Sequence, residues 1–184
     1  MIQLRHVRSK KFITISRHTL AKYEKENMRV GLSSRGDSTS CLIFNPRYKY
    51  DRDGQNIMNQ MEAVLRVHER PGEYLHSAKK LSYAHSDQRR EVNCSLETSA
   101  WTICSYQQAR GVDKKNILAG QLVYLQDSDT SSYLMTGGRI SSASEDTTIL
   151  VSPNIQVGDA SCSAQRPTQC AANSSFFSIL IELA

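Results

Sequence analysis

One pattern occurs three times along this chain. The stretches "IQLRHVRSKKFITIS", "VLRVHERPGEYLHSA" and "VYLQDSDTSSYLMTG" each read as a short alternating segment, a polar turn, then an aromatic followed by an aliphatic. The pairs are Phe12-Ile13, Tyr74-Leu75 and Tyr133-Leu134, spaced 62 and then 59 residues. A second element follows in each copy ("MRVGLSS", "EVNCSLE", "TILVSPN"), and a third closes it ("TSCLIFNP", "SAWTICSY", "SFFSILIEL"). Order repeated in this way outweighs local propensity, because each unit is a supersecondary piece that needs its neighbours to bury its apolar face.

Within the units, apolar residues alternate with polar ones at period two, and turn-rich pieces such as "SRGDSTS" and "QQARGVDKKN" separate them. Short strands at regular spacing with Gly, Asp, Asn and Ser turns indicate an all-β barrel or sandwich. Three units of similar length, each with four strand-like pieces, suggest a β-trefoil. Only "TLAKYEKEN" reads as a helical turn, with Thr19 placed to cap it.

The stretch "REVNCSLETSAWTICSY" carries the single tryptophan and two of five cysteines. Val92, Cys94 and Leu96 alternate with Glu91, Asn93 and Ser95, and Trp101 and Ile103 with Thr102, so the segment predicts two half-buried strands. Cys94 is expected to be a small core hydrophobe. By the repeat, Cys94 matches Leu32 and Val151, and Trp101 matches Cys41 and Phe176 or Phe177. No C-x-x-C pair occurs among Cys41, Cys94, Cys104, Cys162 and Cys170, which argues against a zinc knuckle and a redox pair. The cysteines read as reduced thiols of a cytosolic protein. In that setting the sequons at Asn93 and Asn173 stay unused.

The mean hydropathy of −0.47 and the absence of a long apolar run exclude a membrane-embedded body built of helices. The opening "MIQLRHVRSKKF" has charges inside its apolar stretch, so it reads as strand rather than signal peptide, and suggests a start within a domain. Charge is uneven. Residues 1–50 carry eleven Lys and Arg against three acids, whereas residues 116–184 carry two Arg and six acids. The basic end could favour acidic partners, but few aromatics are interleaved for base stacking, so a solvated surface is expected and no nucleic acid.

No motif supplies chemistry. "DSDTSSYLMTGG" starts like a calcium loop with Asp127, Asp129 and Ser131, but has Ser132 where glycine is needed and Gly138 where a bidentate Glu is needed. It reads as a hairpin turn. "AHSD" (Ala84 to Asp87) brings Ser, His and Asp together in sequence, which is not triad geometry. His6 and His68 end the first segment of their units at matching positions, which points to turn capping. No catalytic residue, metal ligand or cofactor is expected, and the chain reads as a non-enzyme.

The segments "MIQLRHVRSKKFITIS", "EKENMRVGL", "GEYLHSA", "REVNCSLETSAWTI" and "NILAGQLVYLQDSDTSSYL", in that order, resemble the N-terminal cytosolic region of inositol trisphosphate receptors. Ryanodine receptors share the architecture but match "EKENMRV" and "EVNC" less well. The resemblance covers residues 1–136 and extends loosely over 137–184. It implies a regulatory part of a tetrameric calcium-release channel on the cytosolic face of the endoplasmic reticulum or another internal calcium store. Its partners would be neighbouring domains and subunits.

The resemblance also implies MIR-type β-trefoils. Residues 1–108 would be the latter two units of a first, suppressor-like trefoil. Residues 109–115 would be a linker, and 116–184 the start of a second trefoil belonging to the ligand-binding core. In the family an Arg-Thr-Thr-Gly-Arg run helps hold inositol trisphosphate. The matching place here is near "VSPNIQ", where Ser152, Pro153, Asn154 and Ile155 carry no charge, so no ligand residue carries over. MIR repeats also occur in protein O-mannosyltransferases. The alternatives are therefore a stand-alone lectin-like trefoil for a protein or carbohydrate partner, and an accessory domain of such an enzyme.

Overall fold

In a computed structural model, which describes residues 1–48, 56–81, 89–105, 116–137, 148–152 and 179–183, the alternating segments are strands. The first unit holds β1 (Ile2–His6), β2 (Phe12–Leu20), β3 (Met28–Ser33) and β4 (Cys41–Pro46). The second holds β5 (Met61–Val67), β6 (Tyr74–Leu81), β7 (Arg90–Ser95) and β8 (Ala100–Ser105). The third holds β9 (Leu122–Asp127), β10 (Ser132–Gly137), β11 (Thr148–Ser152) and β12 (Ile179–Leu183). Among the described residues the only helix is a 3-10 turn at Ser38–Ser40, and no helix is long and apolar enough to cross a membrane.

The pairing closes a ring. β1 pairs β12, β12 pairs β9, β9 pairs β8, β8 pairs β5, β5 pairs β4, and β4 returns to β1, every pair antiparallel. The remaining strands form hairpins β2–β3, β6–β7 and β10–β11, which meet through β3–β7 and β7–β11 pairing. A six-stranded barrel capped by three hairpins is a β-trefoil. Closure removes the exposed strand edges that an incomplete barrel would present. The expected linker 109–115 lies outside the described residues. The division at that point leaves no mark on the pairing: β9 and β12 complete the ring begun by β1, β4, β5 and β8.

The register makes the threefold relation explicit. Ile13 faces Leu32, Leu75 faces Cys94, and Leu134 faces Val151, each at the same place in its hairpin. Ile13, Leu75 and Leu134 are all buried, so the aromatic–aliphatic pairs do mark equivalent positions. In the barrel, Leu42 faces Val67, Trp101 faces Asp127, and Ile179 faces His6. Trp101 therefore matches Leu42 and Ile179, one place along from the expected Cys41, while Phe176 and Phe177 lie outside the described residues.

His6 matches Val67 and Asp127 in the same register, not His68. The reason is turn length. Arg5 faces Phe12 and Gln126 faces Tyr133, seven residues on, but Arg66 faces Tyr74, eight residues on. The extra turn residue shifts any alignment counted back from the aromatic. His6 nonetheless caps its turn, with Nδ1 2.8 Å from Ser9 Oγ.

Each hairpin turn between barrel and cap needs one left-handed residue, and it falls two places before the aromatic: Lys10 (φ 60), Gly72 (φ 87) and Ser131 (φ 55). Only the second unit meets the need with glycine. A non-glycine residue there costs about 1–2 kcal/mol, partly offset by the greater freedom glycine adds to the unfolded chain. Lys10→Gly is therefore expected to raise stability by about 0.5–1 kcal/mol, and Gly72→Ala to lower it by a similar amount. Denaturant titration of both variants checks this; a destabilised Lys10→Gly would remove strain as the explanation.

Candidate functional site

Most strands keep the alternation of the sequence. In β5, Ala63, Leu65 and Val67 are buried while Glu62, Val64 and Arg66 are half-buried, and β9 repeats the pattern. β7 breaks it. Val92 and Cys94 are buried as expected, but Glu91, Asn93 and Ser95 are buried too. Leu96, expected to continue the apolar face, is 77% exposed, because the strand ends at Ser95 and Leu96 opens the turn.

Glu91 and Asn93 stand on the outward face of the cap, at the places Arg29 and Gly31 hold in the first unit. Arg29 and Gly31 are half-buried. What buries Glu91 and Asn93 is the connection between β2 and β3, residues 21–27, which folds across β7. This is the segment expected to be a helical turn. Instead Ala21 N–H donates to Asn27 O at 2.9 Å, closing a compact loop, and Thr19 N–H donates to Ser16 Oγ.

Glu91 holds the start of the loop. Its two carboxylate oxygens accept the backbone N–H groups of Lys22 (2.8 Å) and Tyr23 (2.9 Å). Glu24 holds the end: its Oε2 accepts from Asn93 Nδ2 (2.9 Å) and Asn27 Nδ2 (3.1 Å), and Asn27 Nδ2 also reaches Asn93 Oδ1 at 3.3 Å. Hydrogen bonds with an ionised acceptor are stronger than neutral ones, and here they compensate the burial of two carboxylates.

Behind Glu24 lies His76 of β6, 3% exposed, with Nε2 4.0 Å from Glu24 Oε2 and Nδ1 2.9 Å from Ser99 Oγ. Ser99 Oγ also accepts Ser77 N–H at 3.0 Å. Burial holds the His76 pKa below its ordinary 6.5, outweighing the Glu24 carboxylate, which pulls the other way. The folded chain thus takes up this proton less readily than the unfolded chain. Its contribution is complete above about pH 6.5 and is lost as pH falls through the folded value.

The other residues singled out from sequence have structural places. Asp127 Oδ2 accepts from Thr130 Oγ1 at 2.7 Å, so the calcium-like stretch is a hairpin turn, as read. Cys41, Cys94 and Cys104 are buried free thiols. Cys94 Sγ donates to Glu73 Oε2 at 3.0 Å, and burial, then Glu73, pushes its pKa up, which keeps the thiol protonated. The sequon at Asn93 is sealed in the interior. Among the described residues no group of three or more His, Cys, Asp or Glu could hold a metal ion. Ala84 to Asp87, Pro153 to Ile155, Arg139, Arg166, Cys162 and Cys170 lie outside the described residues.

Sequence reasoning missed the cluster of Glu24, Asn27, His76, Glu91, Asn93 and Ser99. The signal was present in another form: "EKENMRV" and "EVNC", the stretches that separate the two receptor types in the resemblance, are the two sides of this contact.

A family profile described as Inositol 1,4,5-trisphosphate/ryanodine receptor matches residues 1–112. The chain belongs to this family. Among curated relatives, the inositol 1,4,5-trisphosphate receptor itr-1 of Caenorhabditis elegans is 27% identical over 143 residues, which is 73% of this chain and 5% of the receptor. The chain thus spans a small fraction of that family member's length.

Solved structures bear on the fold alone. An SDF2-like protein from Arabidopsis thaliana aligns with a TM-score of 0.69 at 16% identity, covering 98% of this chain and 90% of its own. A Caenorhabditis elegans protein of unknown function gives 0.67 at 13% identity, covering 98% and 91%. The Saccharomyces cerevisiae protein O-mannosyltransferase Pmt1-Pmt2 complex gives 0.67 at 14%, covering 99% of this chain and 24% of that one.

Proposed function

We propose that this chain is a non-catalytic regulatory region of an inositol trisphosphate receptor-like calcium-release channel, coupling ligand binding to gating. The observation that carries the reading is the family match across residues 1–112, which spans both sides of the loop contact on β7. Its setting would be the cytosolic face of the endoplasmic reticulum or another internal calcium store. Its partners would be neighbouring domains and subunits of a tetramer. Coupling of this kind is typically worth about 1–3 kcal/mol, or 5–150-fold in affinity. Deleting these residues from the parent channel is therefore expected to shift ligand affinity within about that range while leaving the pore conducting. Unchanged affinity and gating would sink the reading.

The chain alone is not expected to bind inositol trisphosphate with receptor-like affinity. Desolvating three phosphates is offset only by several converging Lys or Arg donors. Residues 116–184 contain only Arg139 and Arg166, and the expected contact run reads "SPNI". Titration calorimetry should give no stoichiometric submicromolar heat; such a signal, abolished by Arg139→Ala, would place the pocket on this chain. The second reading is a stand-alone trefoil for a protein or carbohydrate partner, for which the overlap with the SDF2-like protein supplies the fold and no more. Saturable glycan binding would favour it.

A further inference from the structure

The loop of residues 21–27 is tied to the cap by side chains rather than by strand pairing. One of those ties, through Glu24, lies against a buried histidine, His76. His76 sits behind Glu24 with no hydrogen bond to it, at 4.0 Å, while Glu24 holds Asn27 and Asn93. With the ring neutral and its proton on Nε2, Ser99 Oγ donates to Nδ1 and accepts from Ser77 N–H, so Nδ1, the Ser99 hydroxyl and the Ser77 amide are all partnered.

Protonation places hydrogen on both ring nitrogens. Ser99 Oγ must then accept from Nδ1 as well, and its own hydrogen loses its partner in a site where Ser99 is 6% exposed. At the same time the charged Nε2–H attracts Glu24 Oε2, the oxygen that Asn93 and Asn27 share.

We propose that residues 21–27 form an acid-sensitive latch: protonation of His76 draws the Glu24 carboxylate off Asn27 and Asn93 and releases the Asn27 end of the loop from β7. The charged groups facing His76 are Glu24 from the loop, Glu97 from the turn after β7, Lys79 from β6, and Asp127 from the end of β9. The three carboxylates favour the charged ring and Lys79 opposes it. Burial opposes it most, so the latch stays shut at neutral pH. Glu91 keeps its hold on Lys22 and Tyr23 throughout, so the latch opens from the Asn27 end.

The test is nuclear magnetic resonance on the full chain between about pH 8 and about pH 5. The His76 imidazole, the Asn93 side-chain amide and the Ala21 backbone amide are followed together. The expected result is one shared midpoint below 6.5, with intrinsic-rate-corrected exchange of the Ala21 amide about fivefold faster or more on the acid side. In His76→Gln the pH response of Asn93 and Ala21 should vanish. Asn93 and Ala21 signals that stay fixed while the imidazole titrates would overturn the proposal. So would an imidazole that stays neutral to about pH 5, or an equal response in His76→Gln. If His76→Gln fails to fold, the coincidence of midpoints in the wild type decides alone.

Discussion

Trp101→Ala is expected to cost about 3–5 kcal/mol, as for a large aromatic removed from a core. The residue is 0% exposed, and its indole Nε1–H donates to Leu75 O at 2.9 Å, so truncation opens a cavity and also strips a buried carbonyl of its partner. The barrel is built around this side chain. At the layer where Ile2 faces Leu42 and Val123 faces Ile179, Trp101 faces Ala63. The smallest residue stands opposite the largest, so one unit departs from its sisters in both partners at once.

Two consequences follow from that complementarity. Trp101→Leu, which restores the residue of the first unit, should cost less than Trp101→Ala but still leave a void, because Ala63 does not fill it. The pair Trp101→Leu with Ala63→Ile should recover part of the loss, a coupling that double-mutant analysis measures directly. Against a folding stability of about 5–15 kcal/mol, Trp101→Ala can leave the domain largely unfolded. A denaturation midpoint equal to wild type would mean that Trp101 is not at the barrel core.

The threefold order was legible in the sequence because barrel and hairpin strands each bury one face, and a buried face writes period two into the residues. The aromatic–aliphatic pairs then marked one point per unit, and Cys94, Leu32 and Val151 fell on matching register. Matching failed by one residue at His68 and at Cys41. At His68 the cause is the turn before Tyr74, one residue longer than its sisters. At Cys41 it is the connection after the hairpin, since Leu42 follows Leu32 by ten residues and Trp101 follows Cys94 by seven. No periodicity records such lengths.

The cluster around Glu24 was illegible for a different reason. Glu91 and Asn93 do lie on the polar side of their strand, as their alternation says. Their cover comes from Lys22 and its neighbours, 69 residues earlier in the chain. A strand's own pattern reports which way a side chain points, not what another segment lays over it. The Thr19 capping signal failed by the same route, since the amides of Lys22 and Tyr23 satisfy themselves on Glu91 rather than in a helical turn.

Glu91→Ala is expected to lower stability by about 1–3 kcal/mol and to open the loop, because it removes both acceptors at once. The size of the effect depends on where the freed amides go. Lys22 is exposed and Tyr23 half-buried, so water can reach their N–H groups once the loop lifts, which keeps the cost below that of a sealed core cavity. Asn93 then loses its cover and gains access to solvent. Glu91→Gln keeps one acceptor oxygen in the same place and should lose about half as much, but its amide nitrogen faces a second donor, which opposes full recovery.

Hydrogen exchange separates the local event from global unfolding. In Glu91→Ala the amides of Lys22 and Tyr23 should exchange freely while those of β5 and β8, in the barrel, stay as protected as the lowered global stability allows. Equal protection of Lys22 and Tyr23 in wild type and Glu91→Ala would show that the carboxylate does not hold the loop. The family motifs on the two sides of the contact would then have to be explained by something other than their meeting.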